Sequence, residues 1–235
     1  MASGQKPFYI ALGVVIVGGG IFIATRLSGG RPISIPANVV VTTADTAGFR
    51  GYFLGNPSAP VEVTEYGDFQ CPQCAGFDQV QFPDVKVRLI DTNKMRLRYR
   101  DWPIDALHSH TRVASHAAAC ANDQGRFWEV KDGLFRRQND WAFRSNPMPI
   151  FTEIMKAAGV DMNAWDACMQ SKKYAGRIQA SLEEGTKLGV NGTPTFLIGG
   201  RLYPNIGSDE VVRLVDSLIA AMPPAAAAKP ITGGQ

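Results

Sequence analysis

The chain has 235 residues, a nearly balanced net charge of +3 and 45% hydrophobic residues. This length suits one ordinary domain with extensions or two small domains, and it allows a sizeable core. Because no basic stripe with interleaved aromatic residues occurs in the sequence, we expect a protein or membrane partner and no nucleic acid.

An uncharged apolar run spans residues 8–25. At about 1.5 Å per residue it would extend roughly 27 Å, close to the ~30 Å hydrocarbon core of a bilayer. We predict a transmembrane anchor over residues 1–26, with a cleaved signal peptide or a buried helix as alternatives. Basic residues flank the run on both sides, so the positive-inside rule leaves its orientation open.

A segment rich in Gly, Pro, Ser, Thr and Ala follows over residues 27–50 and predicts a flexible linker. Within it, residues 38–42 are compatible with a short strand. We expect a globular domain over residues 51–222 and a disordered Ala/Pro/Gly tail over residues 223–235.

The motif Cys71-Pro72-Gln73-Cys74 lies between an alternating, strand-like segment, Val61–Tyr66, and a helical pattern. Two thiols so spaced can form and reopen a disulfide without moving the rest of the fold. Cys71 would lie at the helix N-terminus, where unpaired N–H groups and the helix dipole lower a thiol pKa. We therefore predict Cys71 as the nucleophile of a redox couple and Cys74, one turn further in, as its resolving thiol.

The helix after this motif has Phe77, Val80 and Phe82 as its predicted apolar positions, and residues 86–90 continue it. Residues 95–102 then alternate as a second strand, which completes a βαβ unit.

A helical insertion is predicted over about residues 104–188. Ser109, Asp161 and Ser171 are the expected N-caps of three of its helices. The chain then returns to strands at residues 195–198 and 201–203, which predict a hairpin around two glycines. Ser208 is expected to cap a last apolar-faced helix.

This order of elements resembles the thioredoxin superfamily. The segments Tyr66-Gly-Asp-Phe-Gln-Cys-Pro-Gln-Cys and Val190-Asn-Gly-Thr-Pro-Thr-Phe more closely resemble DsbA-type thiol–disulfide oxidoreductases, in the subgroup often anchored to the membrane. The fold class expected over residues 51–222 is α/β, a thioredoxin fold with a helical insertion, preceded by the transmembrane helix.

The resemblance also implies roles for single residues. Cys71 matches the attacking cysteine and Cys74 the resolving one. Pro194 matches the cis-proline loop, where the backbone of Thr193 would pair with an extended substrate chain.

Glu65 matches a buried acid beneath the active site in this family. A carboxyl group in apolar surroundings has a raised pKa and could exchange a proton with Cys74. The alternative is that Glu65 faces the surface and that nearby Asp68 carries this role.

The remaining cysteines, Cys120 and Cys168, each lie on a predicted apolar helix face. They could be two buried free thiols. In some of the proteins that this sequence resembles, a structural disulfide joins insertion helices, and we favour that bridge in an oxidising compartment.

Three histidines, His108, His110 and His116, raise the question of a metal site with the CxxC pair. A zinc site would normally show two close pairs of ligands, and the second pair is absent. We predict no metal, and thiol–disulfide exchange itself needs no cofactor.

The resemblance implies a membrane-anchored enzyme that introduces disulfides into unfolded or reduced exported proteins in the periplasm or extracytoplasmic space. Its reoxidant would be a quinone-linked membrane protein of the DsbB or vitamin-K-epoxide-reductase type. A disulfide reductase or isomerase of the same fold, and a non-catalytic peptide-binding or chaperone module, are the alternatives.

Overall fold

The computed structural model describes residues 32–223. All its helices and strands belong to one compact unit that begins at Ile33. The predicted anchor over residues 1–26, the start of the linker and the tail after residue 223 lie outside the described residues. Within residues 32–223, every helix is too short or too polar to span a bilayer.

The described residues contain five strands, which form one sheet, and ten α-helices. The strands are β1 (Tyr52–Leu54), β2 (Val61–Gly67), β3 (Met95–Asp101), β4 (Thr195–Ile198) and β5 (Arg201–Pro204). The helices are α1 (Thr43–Thr46), α2 (Pro72–Gly76), α3 (Phe82–Val85), α4 (Thr111–Asn122), α5 (Phe127–Arg136), α6 (Gln138–Trp141), α7 (Met148–Ala157), α8 (Met162–Ser171), α9 (Ala175–Leu188) and α10 (Ser208–Ala220). Two π-helical segments, Phe77–Gln81 and Lys86–Ile90, join α2 and α3 into one helical stretch, called here the 72–90 helix.

The sheet of residues 32–223 has the strand order β1-β3-β2-β4-β5. The central strands β2 and β3 run parallel, and the 72–90 helix connects them as a crossover. The other pairs are antiparallel, including the β4–β5 hairpin. This is an α/β fold of the thioredoxin type, with α4 to α9 inserted between β3 and β4, and it confirms the predicted fold of the domain.

The two faces of the sheet differ in chemistry. Alternate residues of β2 place Val63 and Glu65 on one face, which packs against apolar residues of the 72–90 helix and of α10. The opposite face carries Tyr66, whose hydroxyl donates a hydrogen bond to Glu184 of α9 at 2.9 Å. A Cβ at Gly185 would clash with Tyr66, so a glycine there lets α9 approach the sheet. The active-site face is therefore the one that carries Glu65.

The predicted linker differs from the structure over its described part, residues 32–50. Ile35 is buried in the core, and Ile33, Val39 and Phe49 pack against it. The segment also contains the short helix Thr43–Thr46, and residues 38–42 form no strand. These apolar side chains are spaced too widely to show a periodic pattern, but their burial fastens the segment to the domain.

The predicted inner face of the 72–90 helix is wrong at Val80, which is 76% exposed. Pro83 lacks the N–H that would donate to the carbonyl group one turn earlier, and a wider π-helical turn lies just before it. This turn changes the phase of the helix. As a result Asp78, rather than Val80, faces inward and is buried.

Asp161 caps α8 as predicted, because its carboxylate accepts a hydrogen bond from the amide of Ala164. The other three predicted caps are wrong. Ser109 and Ser171 precede the residues at which α4 and α9 begin, and Ser208 is the first residue of α10 rather than its cap. Tertiary contacts of the preceding loops decide where these helices begin.

Candidate active site

Cys71 and Cys74 lie where β2 leads into the 72–90 helix. Cys71 is the residue immediately before α2, and Pro72 occupies the first helical position, where its missing N–H leaves no partner unsatisfied. Both thiols are free in this structure, with Cys71 3% exposed and Cys74 fully buried. Cys71 is thus the less deeply buried of the two.

The two thiols differ in acidity. A hydrogen bond with the Cys74 thiol lowers the pKa of Cys71 to about 6, and burial, the next largest effect, opposes this shift. Interactions with Thr193 and the backbone of the first helical turn lower it further. Burial raises the pKa of Cys74 well above the usual range for a thiol. At neutral pH Cys71 is a thiolate, whereas Cys74 keeps its proton.

The Thr193–Pro194 loop faces this pair. The Thr193–Pro194 peptide bond is cis. The sulfur of Cys71 lies 3.3 Å from the carbonyl oxygen of Thr193. The loop thus brings backbone polar groups beside the reactive sulfur, where an extended chain could bind.

Glu65 lies on β2 and is fully buried. Neither of its carboxyl oxygens has a hydrogen-bond partner within the described residues. Burial raises the pKa of Glu65 to about 7, and the nearby charge of Lys131 partly opposes that shift. The charge of Glu65 in turn raises the pKa of Cys74. Of the two alternatives for Glu65, the structure therefore has the buried one.

Lys131 and Asp78 form a buried ion pair that sequence reasoning missed. Lys131 lies on α5 and is 1% exposed, and its ammonium group contacts the carboxylate of Asp78 on the 72–90 helix. The rings of four aromatic residues surround the ammonium group at 5.0–5.9 Å: Phe82, Tyr99, Trp128 and Phe135. One signal was available, because Lys131 stands four residues after Phe127 and four before Phe135, on the apolar face of α5.

Asp68 has a different environment from Glu65. Its carboxylate accepts hydrogen bonds from the amides of Gln70 and Ile104 at 2.7 and 2.8 Å. It also accepts one from the Thr111 hydroxyl at 2.6 Å and lies 2.7 Å from Nδ1 of His108. Because these partners occupy both oxygens, Asp68 holds the loop before Cys71 rather than presenting a free proton acceptor.

Two glutamines tie the same loop to the insertion. The side-chain amide of Gln138 on α6 donates to the carbonyl oxygens of Phe69 and Cys71 at 2.8 and 3.0 Å. Gln70 donates to the carbonyl oxygen of Ala142 at 2.6 Å. The helical insertion therefore positions the loop that carries Cys71.

The structure joins Cys120 of α4 to Cys168 of α8 through a disulfide, with a Cα–Cα distance of 5.8 Å. The bridge lies inside the insertion. His116 lies beside it, with Nδ1 3.5 Å from the sulfur of Cys120. The histidines are dispersed, since His108 faces Asp68 and His110 faces the carbonyl oxygen of Arg144. In residues 32–223, no three His, Cys, Asp or Glu side chains group closely enough to hold a metal ion.

Sequence comparisons link the chain to known proteins. A family model described as thioredoxin matches residues 49–217. The Na(+)/H(+) antiporter NhaA 3 of Salinispora tropica is 32% identical over 154 residues, which make up 66% of this chain and 22% of the antiporter. The chain thus spans about a fifth of that relative's length. The "Probable disulfide bond formation protein D" of Bacillus anthracis is 28% identical over 167 residues, which cover 69% of this chain and 76% of the relative.

A structural comparison agrees with the fold. The crystal structure of alpha-DsbA1 from Wolbachia pipientis superimposes with a TM-score of 0.65 at 22% sequence identity. The superposition covers 72% of this chain and 90% of that protein. At this identity the likeness concerns the arrangement of helices and strands.

Proposed function

Since the chain belongs to the thioredoxin family and resembles its DsbA-type members, we propose that it is a thiol:disulfide oxidoreductase that introduces disulfides into exported proteins. Cys71 and Cys74 would be the redox pair. Cys71 is the nucleophile of this proposal, Cys74 its resolving thiol, and the Thr193–Pro194 loop its substrate-binding backbone.

The difference in acidity between the two thiols supports the proposal most. With a pKa of about 6, Cys71 is deprotonated at neutral pH, while the pKa of Cys74 is raised. A stabilised Cys71 thiolate makes the reduced protein more stable, and this makes its disulfide a stronger oxidant. The same thiolate is a good leaving group when a client resolves the mixed disulfide.

The first proposed step begins from the Cys71–Cys74 disulfide. A client thiolate attacks the sulfur of Cys71, the bond between the two sulfurs breaks, and Cys74 leaves with the electron pair. Glu65, whose pKa is about 7, supplies a proton to the Cys74 sulfur. A mixed disulfide between the client and Cys71 remains.

In the second step, another thiolate of the client attacks the client sulfur of the mixed disulfide. The bond to Cys71 breaks, and Cys71 leaves as its stabilised thiolate. The client gains one disulfide, and the protein gains the two electrons as a dithiol. The backbone of Thr193 would hold the client as an extended chain during both steps.

The reduced pair must be reoxidised before another cycle. We assign this role to a quinone-linked membrane protein of the DsbB or vitamin-K-epoxide-reductase type. The apolar run over residues 8–25 would anchor the catalytic domain beside it, in the periplasm or extracytoplasmic space. The Cys120–Cys168 disulfide fits such an oxidising compartment.

The reductase and isomerase alternatives use the same two cysteines, but they differ from an oxidase in the redox potential of the pair. Titration of the full chain against reduced and oxidised glutathione, read by mass after alkylation, separates them. We expect a modest concentration of reduced glutathione to reduce the Cys71–Cys74 disulfide. A pair that stays oxidised until strongly reducing conditions would contradict the oxidase proposal.

A non-catalytic chaperone is tested with Cys71→Ser. We expect this variant to lose all oxidation of a reduced, unfolded client, while Cys120→Ser/Cys168→Ser retains it. Full function of the Cys71→Ser variant would instead assign the site to peptide binding.

A further inference from the structure

On the active-site face of the sheet, Glu65 belongs to a row of buried polar groups whose other members the mechanism above does not use. Glu65 pairs with Tyr99 across the parallel strands, and Tyr52 pairs with Tyr99 from β1. Two residues further along, Gly67 pairs with Asp101. Because paired residues and every second residue share a face, all these side chains lie on one side of the sheet.

By distance and angle these groups make no hydrogen bond within the described residues, although Arg177 lies beside Tyr52 and Ser115 beside Asp101, and each lowers the pKa of its neighbour. The groups of the row are at most 3% exposed, and their orphaned atoms are the Glu65 and Asp101 carboxyl oxygens and the Tyr52 and Tyr99 hydroxyls. Buried polar atoms are nearly always paired with protein or with ordered water. A contiguous set of orphans in the core therefore indicates a functional reason or a chain of buried water.

The side chain of Tyr99 extends along the row from the position of Glu65 toward that of Asp101. A Cβ built on Gly67 would lie 2.7 Å from that hydroxyl, so the tyrosine oxygen sits directly over this glycine. Gly67 is the residue opposite Asp101. Tyr99 also interacts electrostatically with Asp101, Glu65 and Cys74. The Tyr99 hydroxyl thus lies over the residue opposite Asp101, beyond hydrogen-bond distance of either carboxyl group.

The neighbours of this row include few charges that could neutralise Asp101. Charged and titratable groups near the row come from each packed element: Asp68 before α2, Cys74 and Asp78 on the 72–90 helix, Lys131 on α5, Tyr174 before α9 and Arg177 on α9. Arg100 on β3 also influences Asp101 electrostatically, but its side chain lies on the opposite face of the sheet. Lys131 is already paired with Asp78. Arg100 donates through Nη2 to Glu184 on the other face of the sheet.

We propose that Asp101 is a second buried proton acceptor for the redox pair, linked to Glu65 through the hydroxyl of Tyr99. This inference rests on the proposed function, because it concerns the proton that Cys74 releases. Asp101 and Tyr99 are positioning residues in this scheme, since neither touches the exchanging sulfurs.

The relay conserves protons. When Cys74 attacks the Cys71 sulfur of the mixed disulfide, its thiol proton passes to the Glu65 carboxylate, and its electron pair forms the Cys71–Cys74 bond. The bond from Cys71 to the client or glutathione sulfur breaks, and that sulfur leaves as a thiolate with the electron pair. Through buried water, protonated Glu65 then donates to the Tyr99 oxygen while the Tyr99 hydroxyl donates its own proton toward Asp101. Glu65 is again a carboxylate, Tyr99 is unchanged, and Asp101 carries the proton.

The experiment follows the resolving step alone. The full chain, reduced at its redox pair, is mixed with oxidised glutathione, quenched with acid at increasing times and analysed by mass. The Cys71–glutathione mixed disulfide forms first, and its decay reports the attack of Cys74. The series is repeated across pH for wild type, Asp101→Asn, Tyr99→Phe and Tyr66→Phe.

Tyr66→Phe is the matched control, because Tyr66 lies on β2 but faces Glu184 on the other side of the sheet. Tyr99→Phe and Asp101→Asn keep nearly the same shape, and near-ultraviolet circular dichroism with thermal unfolding verifies each fold. Since the Tyr99 hydroxyl has no protein partner among the described residues, its removal should leave the fold intact.

Because burial raises the pKa of Asp101 to about 6 and that of Glu65 to about 7, we expect the wild-type decay rate to rise through both values as pH increases. Asp101→Asn and Tyr99→Phe should each slow the decay on the order of 10-fold and remove the lower rise. Tyr66→Phe should match wild type, and mixed-disulfide formation should be equal in all four proteins.

Two results would overturn the relay. One is wild-type decay in both Asp101→Asn and Tyr99→Phe. The other is a changed profile in Asp101→Asn with a wild-type profile in Tyr99→Phe, because Asp101 would then act without the Tyr99 hydroxyl. If wild type forms no mixed disulfide at all, the proposed function itself fails, which is a distinct result.

Discussion

The sulfur of Cys71 lies 3.3 Å from the carbonyl oxygen of Thr193, although 122 residues separate them along the chain. The antiparallel pairing of β2 with β4 creates this proximity, because it places the start of β4 beside the end of β2. The nucleophile and the backbone that would hold a client are therefore built from opposite ends of the domain.

We predict that Cys71 in the reduced protein titrates near pH 6, as followed by the ultraviolet absorbance of its thiolate. The pKa of Cys71 in the folded protein is lower than its ordinary value of 9.0. The Cys71 thiolate therefore stabilises the reduced fold fully above pH 9.0, and this stabilisation is lost as the pH falls through about 6. Cys74→Ala should raise the midpoint, since Cys74 is the largest cause of the shift. An unchanged midpoint in that variant would contradict this cause.

Glu65→Gln should slow proton transfer with Cys74 on the order of 100-fold and flatten its pH dependence. It should also change stability. Burial raises the folded pKa of Glu65 from 4.5 to about 7, so its stabilising effect is complete below the lower value and is lost as pH rises through the higher one. Denaturant unfolding should show wild type losing stability over this range relative to Glu65→Gln. If the unfolding free energies of wild type and Glu65→Gln change with pH in parallel, the raised pKa of Glu65 is refuted.

Lys131→Met should destabilise the fold by about 3–5 kcal/mol, because it leaves the Asp78 carboxylate buried without its partner. Lys131→Met/Asp78→Asn should recover most of that loss. In the single variant the pKa of Glu65 should rise above 7, since the charge of Lys131 opposes its upward shift. Chemical unfolding gives the energies, and the idea fails if the double variant is no more stable than the single one.

Removal of the Cys120–Cys168 bridge by serine substitution should cost about 3–4 kcal/mol, because it releases a closed loop with a sequence separation of 48. Client oxidation should persist at temperatures where the variant remains folded. The matched control is Cys71→Ser/Cys74→Ser, in which oxidation is lost and the bridge remains. Equal unfolding energies with and without the bridge would show that it does not restrain the unfolded chain.

Local sequence patterns were sufficient for several elements. The alternation of β2, the two glycines of the β4–β5 hairpin and the Asp161 cap are short-range signals, and the structure has each of them. The caps at Ser109, Ser171 and Ser208 were wrong, because a serine near a helix start is only one of several groups that can end the preceding loop. Val80 was wrong because a π-helical turn changes the phase of the pattern.

The sequence by itself determined the family resemblance and the candidate redox pair, because two cysteines at CxxC spacing at a strand-to-helix turn can form and reopen a disulfide. It also indicated Glu65 as an acid, but not its surroundings. Only the tertiary structure decided that Glu65, near Lys131 and Tyr99, lies without a hydrogen-bond partner among residues 32–223, while Asp68 accepts hydrogen bonds at both oxygens. Burial and charge pairing depend on residues distant in the chain, and these long-range contacts set the pKa values on which the proposed chemistry depends.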